Sequence, residues 1–318
     1  MHRPARLTSL LWLMAALAGC ASAPVSLTAP PAAPRPDATL QSQLEAAVRG
    51  FHGDVGVYVR NLRTGQTAAI RADELFPTAS MIKVPILVTT FQAMEDGHLS
   101  FLQKLTYTDS LAYAGEDDLL ALVQDSSTVE LAKVAMLMLT MSDNTASLWL
   151  QGLAGTGVQI NAWLTQHGLD STRMNSRTPG RQDNWKQYGW GQTTPREMAE
   201  LLVMIREQRA VSPAADQQMY RMLTRTYWNG EAVSQIPPWV QAASKQGAVD
   251  RSRSEVVLVN APAGDYVFCV ITKNQGDESW EASNEGYLLL RKVSALLWAY
   301  FEPETPWTPA VGAARFTP

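Results

Sequence analysis

Strand-like stretches lie towards both ends of this chain with helical ones between them, and that order constrains the fold more than any other feature. Asp54 to Arg60 alternates Val55, Val57 and Val59, the period of a strand. Arg63-Thr64-Gly65-Gln66 reads as a turn and Thr67 to Arg71 as the returning strand. Far downstream, Glu255 to Asn260 and Asp265 to Lys273 read as strands joined by a turn at Pro262 to Gly264. The middle is helical. An apolar helix runs from Ser80 to about Met94, and an amphipathic one covers Glu197 to Arg209 after Thr193-Thr194-Pro195. Ser127-Thr128-Val129-Glu130 has the form of a capping box, which places a helix from there to Met141. Leu40 to Arg49 and Glu281 to Phe301 add helical spacing at the two ends. Strands from both ends can pair into one antiparallel sheet, with the helical middle inserted as a second lobe. The expected fold class is therefore α/β (α+β), in one domain over residues 40–302 with a C-terminal tail at 303–318.

The first twenty residues stand outside that fold. Arg3 and Arg6 give a positive start, Leu7 to Leu17 a short apolar run, and Leu17-Ala18-Gly19-Cys20 a small-residue ending. This pattern is a signal peptide, too short for a stable span. Its ending resembles a bacterial lipobox, which makes Cys20 the lipidated first residue of the mature chain; a plain signal peptide with an incidental Cys20 is the competing reading. Residues 21–39 are rich in Ala and Pro and read as a disordered tether. Ala21 in place of Asp points to the periplasmic face of an outer membrane in a host that has one. With Cys20 lipidated, Cys269 is the remaining thiol, and its apolar surroundings from Tyr266 to Ile271 read as core.

A formal net charge of −4 and the lack of clustered Lys and Arg exclude nucleic acid as the main partner. His52, His98 and His167 stand singly, without metal-ligand spacing, so a metal-dependent hydrolase is set aside and no cofactor is expected.

Three short motifs carry the chemistry: Ser80-Met81-Ile82-Lys83, Ser142-Asp143-Asn144 and Lys245-Gln246-Gly247. Each is weak alone; in this order and these contexts they are specific. On a helix, positions three apart share a face, so the Lys83 amine can reach the Ser80 hydroxyl. The helix start points free N–H groups towards Ser80, where an oxyanion would develop. The apolar run from Val84 to Val88 is expected to bury Lys83, lower its amine pKa and make it a base.

From about Leu40 to Phe301 the chain resembles the class A β-lactamases and penicillin-recognising active-site serine hydrolases. That resemblance implies their fold, a β-lactam or cell-wall peptide-like substrate, and a monomer. Carried over position by position, it makes Ser80 the nucleophile and Lys83 the group that takes or relays its proton. Ser142 passes a proton to the leaving nitrogen, Asn144 orients the side-chain amide, and Lys245 holds the substrate carboxylate. Backbone N–H groups of Ser80 and Ala248 form the oxyanion hole.

The chain departs from the family in two places. Gln246 replaces the Thr or Ser that helps bind the carboxylate, and Arg251 or Arg253 could compensate with a bidentate grip or could simply be solvated. In the omega loop, ungapped alignment puts Thr178 where the family has its deacylating Glu, Gln182 at its Asn, and Ser176 and Gly191 at its Arg–Asp ion pair. The loop carries Trp185, Tyr188 and Trp190 instead, and Asp183 is its alternative carboxylate or a solvated one. Three readings stay open: a β-lactamase with a changed deacylation step, a D,D-peptidase or esterase on the same scaffold, and a sensor that binds or is acylated without turnover.

Overall fold

The computed structural model describes residues 32–113 and 118–318. The signal peptide, Cys20 and the tether as far as Pro31 lie outside the described residues.

Both ends of the chain do build one sheet. Its strand order is β1 (Arg35–Pro36), β3 (Gln66–Ile70), β2 (Asp54–Asn61), β11 (Tyr266–Lys273), β10 (Ser252–Val259) and β9 (Ala242–Val249). All pairings are antiparallel except that of β1, and β2 meets β11 from Asp54↔Lys273 to Asn61↔Tyr266. Helices cover both faces, so the central strands are buried residue after residue. On one face Val57, Val59, Phe268 and Val270 pack against α1 (Ala38–Val48) and α9 (Glu285–Phe301). On the other, Tyr58, Val267, Cys269 and Ile271 join the core of the helical lobe. Cys269 is buried there, and burial pushes its thiol well above the ordinary range, as suits an inert core group.

That lobe surrounds α2 (Lys83–Glu95), whose residues from Lys83 to Phe91 are all buried. A helix buried on every side has no amphipathic stripe to show in sequence. Around it lie α3 (Leu131–Met136), α4 (Asn144–Leu153), α5 (Thr156–Gln166), α7 (Pro195–Arg206) and α8 (Pro213–Leu223). A short helix α6 (Gln182–Tyr188) sits in the loop before β8 (Gly191–Thr193), which pairs with β4 (Phe76–Pro77) and β7 (Arg173–Met174).

Three expectations are corrected, and one strand was not foreseen. The capping box at Ser127 to Glu130 does not cap a helix. Thr128–Glu130 is a strand, β6, paired with β5 (Lys104–Thr106); extended pairing suits the β-branched Thr128 and Val129, and the helix starts only at Leu131. The tether boundary falls earlier than residue 39: Arg35 and Pro36 pair with Gln66 and Thr67, and Asp37 caps α1 by accepting from Thr39 N and Leu40 N at 3.0 Å each. The terminal helix opens at Glu285, where Asn284 accepts from Gly286 N at 2.9 Å, so Glu281 lies outside it. The edge strand β9, which carries Lys245, was not foreseen; Gln246 and Gly247 break its apolar alternation.

Candidate active site

Ser80 stands in a 3₁₀ turn, Ala79–Ile82, that leads into α2. Ala79 immediately before it has φ 43°, a left-handed conformation that costs a non-glycine residue about 1–3 kcal/mol and needs support from its surroundings. Two glycines supply it by letting backbone approach. A Cβ at Gly247 would lie 2.9 Å from Ser80 N and 2.7 Å from Thr78 O, and one at Gly191 would meet Ile82 Cδ1 at 2.5 Å. Edge strand β9 therefore runs against the Ser80 turn. Ala248, one residue on, lines the same cleft as Ser80, as the expected pair of oxyanion-hole residues must.

Two buried lysines meet across Ser142. Lys83 Nζ lies 3.1 Å from Ser80 Oγ, 3.1 Å from Ser142 Oγ and 2.7 Å from Asn144 Oδ1, and it also donates to Ser142 O. Lys245 Nζ donates to Ser142 Oγ at 3.0 Å and to the Gln246 carbonyl at 2.9 Å. The three motifs thus converge on a chain of contacts Ser80–Lys83–Ser142–Lys245. Burial pushes the Lys245 amine well below the ordinary lysine range, and the neighbouring Lys83 charge adds to that.

The Ser142 turn is held from below. Ser142 has φ 60°, and Asp143 caps α4 by accepting from Ala146 N at 2.7 Å and from Leu120 N at 2.9 Å. Burial raises the Asp143 carboxyl above its usual range. Asp118 accepts from Asn144 N at 3.0 Å and from Thr145 N at 2.6 Å, a support that no local motif announces because it lies 26 residues upstream of Asn144. Met141 O accepts from Trp228 Nε1 at 2.8 Å, which ties the segment after α8 to the same turn.

The compensating arginines separate. Arg251 is 57 % exposed at the β9–β10 hairpin and lines the Ser80 cleft, where it donates to Gln275 O at 3.2 Å and pairs with Glu278 at 3.4 Å. Arg253 does not serve the site. It is fully buried between Trp280 and Tyr287, 4.5 and 4.7 Å from their ring centres, and its guanidinium donates to Val249 O, Ser252 O and Ser279 O. Gln246 likewise is absent from the cleft lining. Strand alternation puts it on the face of Ser244, whose hydroxyl donates to Glu255 Oε1 at 2.6 Å, so only its carbonyl reaches the lysine network.

The cleft has a volume of about 550 Å³, and its other wall is the loop around α6: Gln187, Tyr188, Gly189 and Trp190, with Tyr113, Lys273 and Asn274 completing it. The aromatic content of the loop was visible in sequence; Tyr113 and Lys273, at the ends of remote segments, were not. Among the described residues that line this cleft there is no Asp or Glu. Thr178 is not part of it. Its Oγ1 donates to Ser176 O at 2.9 Å, and it packs against Gly157 of α5 in a neighbouring chamber. Asp183 pairs with Lys186 at 3.2 Å and its side chain is 97 % exposed, away from the cleft lining. The family's loop ion pair has a different replacement: Gln151 Nε2 donates to Ser176 O at 2.7 Å, and Arg181 bridges Asn175 Oδ1 and Gln192 Oε1 at 2.7 and 2.9 Å.

This fold and this serine–lysine site define a serine hydrolase of the class A β-lactamase type. The chain belongs to the beta-lactamase enzyme family, whose sequence profile matches residues 39–301. Among solved structures it is similar to PBP-A, with a TM-score of 0.75 and 28% identity over 86% of this chain and 99% of that one. The same values hold for a point mutant of PBP-A seen as an acyl-enzyme complex with penicillin G. A β-lactamase from Sphaerobacter thermophilus shares the fold, with a TM-score of 0.75 at 21% identity over 85% of this chain and all of that one (100%).

Proposed function

We propose that the protein is acylated at Ser80 by β-lactams and releases the acyl group slowly. One observation carries this reading: buried Lys83 Nζ stands 3.1 Å from both Ser80 Oγ and Ser142 Oγ, and the cleft that Ser80 lines has no carboxylate among its described lining residues. In its deprotonated form Lys83 takes the Ser80 proton as Oγ attacks the lactam carbonyl. The oxyanion lies against the backbone N–H groups of Ser80 and Ala248. As the C–N bond breaks, Ser142 gives its proton to the leaving nitrogen and regains one from Lys83. Lys245 receives the substrate carboxylate, whose charge offsets the burial that pushes the amine down. The ester that remains needs an activated water, and losing a general base costs about 10²–10⁴-fold in rate, or about 3–5 kcal/mol.

Intact-mass analysis after brief exposure to benzylpenicillin tests this. A single adduct that persists for many minutes is the expected result, and rapid return to the free mass overturns slow release. A second reading, a D,D-peptidase or esterase, would use the same Ser80 and Lys83 on a different acyl donor. Absence of any adduct together with cleavage of a D-alanyl-D-alanine peptide would favour it. We further propose that the protein is an exported monomer held by lipid on Cys20, at the periplasmic face of the outer membrane in a host that has one. The lipobox-like ending at Leu17 to Cys20 supports the anchor. Cys20→Ala should abolish labelling by a fatty-acid probe, and persistent label would remove the anchor.

A further inference from the structure

Behind edge strand β9, on the face away from Lys245, lies a carboxylate that the steps at Ser80 do not use. Glu255 of β10 is fully buried. It stands opposite Gln246 in the β9–β10 ladder, next to the Val256↔Lys245 pair, so strand alternation sends Glu255 and Lys245 to opposite faces of the sheet. Its two oxygens are engaged by different elements. Ser244 Oγ of β9 donates to Oε1 at 2.6 Å, and Ala232 N donates to Oε2 at 2.7 Å. The Ala232–Gln235 turn is itself tied to α9, where Ser294 Oγ donates to Ala232 O at 2.6 Å. One carboxyl thus joins that turn to β9 at the residue before Lys245.

The charged groups around the pair come from several elements. Glu231, just before the turn, opposes ionisation of Glu255, but Arg291 of α9 pairs with Glu231 at 2.6 Å and Arg253 offsets its charge further. The Glu255 charge also reaches Cys269 of β11, whose thiol is kept well above the ordinary range mainly by burial. On the other face, burial and the Lys83 charge of α2 disfavour a charged Lys245, and Glu255 favours it. Burial lifts the Glu255 carboxyl to about 7, so its negative charge is present above that pH and absent below it.

We infer that Glu255 is a positioning residue of the Ser80 site: it fixes β9 from behind through Ser244 and supplies the negative charge that opposes Lys245 across the sheet. The inference rests on acylation at Ser80 and on Lys245 receiving the substrate carboxylate. Lys245 holds that group by charge only while its amine is protonated. For charges on the order of 10 Å apart inside a protein, a carboxylate raises an amine by about one pH unit. An anionic acyl donor therefore gains from Glu255 above about pH 7, and a donor without the anionic group does not.

The test compares benzylpenicillin with its methyl ester, which lacks the anionic group. Second-order acylation constants are read by intact mass from about pH 6 to about pH 9. The ratio of acid to ester is taken within one protein, so that folded fraction and any uniform disturbance of the cleft cancel. In wild type the ratio should favour the acid and fall on the alkaline side as Lys245 loses its proton. In Glu255→Gln that fall should move down by about one pH unit. The ratio near pH 8 should then drop by about threefold or more, while the ratio near pH 6, where the wild-type carboxyl is already neutral, stays the same. Ser244→Ala removes a donor that favours the charged carboxyl and should move the fall the same way by less. It carries the test where the glutamine variant does not fold. An equal loss for both donors at every pH means that Glu255 only holds the strand, and overturns the inference. A wild-type ratio near one throughout, with both donors labelling Ser80, also overturns it and leaves acylation standing. No adduct with either donor removes the Ser80 reading and this inference with it.

Discussion

The two walls of the Ser80 cleft are built on different terms. The wall formed by α2, the Ser142 turn and β9 is tightly determined: Lys83 and Lys245 are buried, Asp118 and Asp143 fix the turn, and Gly247 leaves no room for a Cβ beside Thr78 O and Ser80 N. The wall formed by residues 175–191 is as well hydrogen-bonded, but with different partners and no carboxylate among the described residues facing Ser80. A loop can be stable and still lack the group its position suggests. On the proposed reading, acyl transfer and acyl release are separable, because each would depend on a different wall.

The largest effects belong to the first wall. Ser80→Ala should abolish covalent labelling by a fluorescent penicillin while leaving the far-UV circular dichroism unchanged. Lys83→Met should slow acylation by about 10²–10⁴-fold without unfolding, since an apolar chain suits a fully buried helix. Wild-type labelling in both variants would break the distinction between the walls at its stronger half.

Behind the same wall, Glu255 tests what burial costs. Its carboxyl accepts from Ser244 Oγ and Ala232 N, and burial pushes its pKa from 4.5 up to about 7. Because the folded pKa lies above the unfolded one, the folded state binds the extra proton between these values. Stability from this group is complete below pH 4.5 and is lost as pH rises through about 7. The change amounts to about 3 kcal/mol. Lys245, pushed down, has the opposite sign, so the informative quantity is the difference between wild type and Glu255→Gln. In urea melts across that range the variant should lose the downward slope. Parallel pH profiles would show that the carboxylate is better solvated than its burial implies.

The hairpin that joins β9 to β10 sets two arginines in opposite roles. Arg253→Ala removes a guanidinium stacked between two rings and should destabilise by about 2–3 kcal/mol, the upper part of the usual range for single substitutions. Arg251→Ala should change stability by no more than about 0.5 kcal/mol and alter acylation instead. Thermal melts and acylation constants on both variants decide it. Equal destabilisation would contradict the placement of Arg251 at the cleft mouth.

These pairs show what the sequence could convey. The three motifs were legible because local spacing fixes them: Ser80 and Lys83 share a helical turn, and Ser142 to Asn144 form one tight turn. The inner strand β2 was legible from alternation at Val55, Val57 and Val59. What escaped depends on tertiary partners. Arg251 and Arg253 are two residues apart and identical in type, yet Trp280 and Tyr287 capture only the second. Ser127 to Glu130 matched a capping box because its residue types are right, but pairing of Thr128–Glu130 with Lys104–Thr106 took precedence. Aligned position placed Thr178 at a catalytic site, whereas Gly157 leaves room for it elsewhere.

Thr178 gives the smallest expected effect and the sharpest test of the second wall. Thr178→Glu restores a carboxylate at the aligned position, but that position opens into the chamber beyond Tyr113 and Trp190. A glutamate there must reach past both rings, and Ser176 and Gly191 cannot supply the ion pair that shapes the family's loop. Since catalytic geometry is sensitive to shifts of about 1 Å, deacylation should quicken by less than about tenfold, well short of what a placed general base gives. Acylation by small donors should change less than deacylation does. Pre-steady-state kinetics with a chromogenic cephalosporin separates the two steps: wild type should show a burst followed by slow turnover, and the variant the same burst with a modestly faster second phase. A gain of about a hundredfold would mean that the loop moves to bring position 178 onto Ser80. Fast turnover by wild type without a burst would mean that another group already activates the water, and the two walls would then share the work of release.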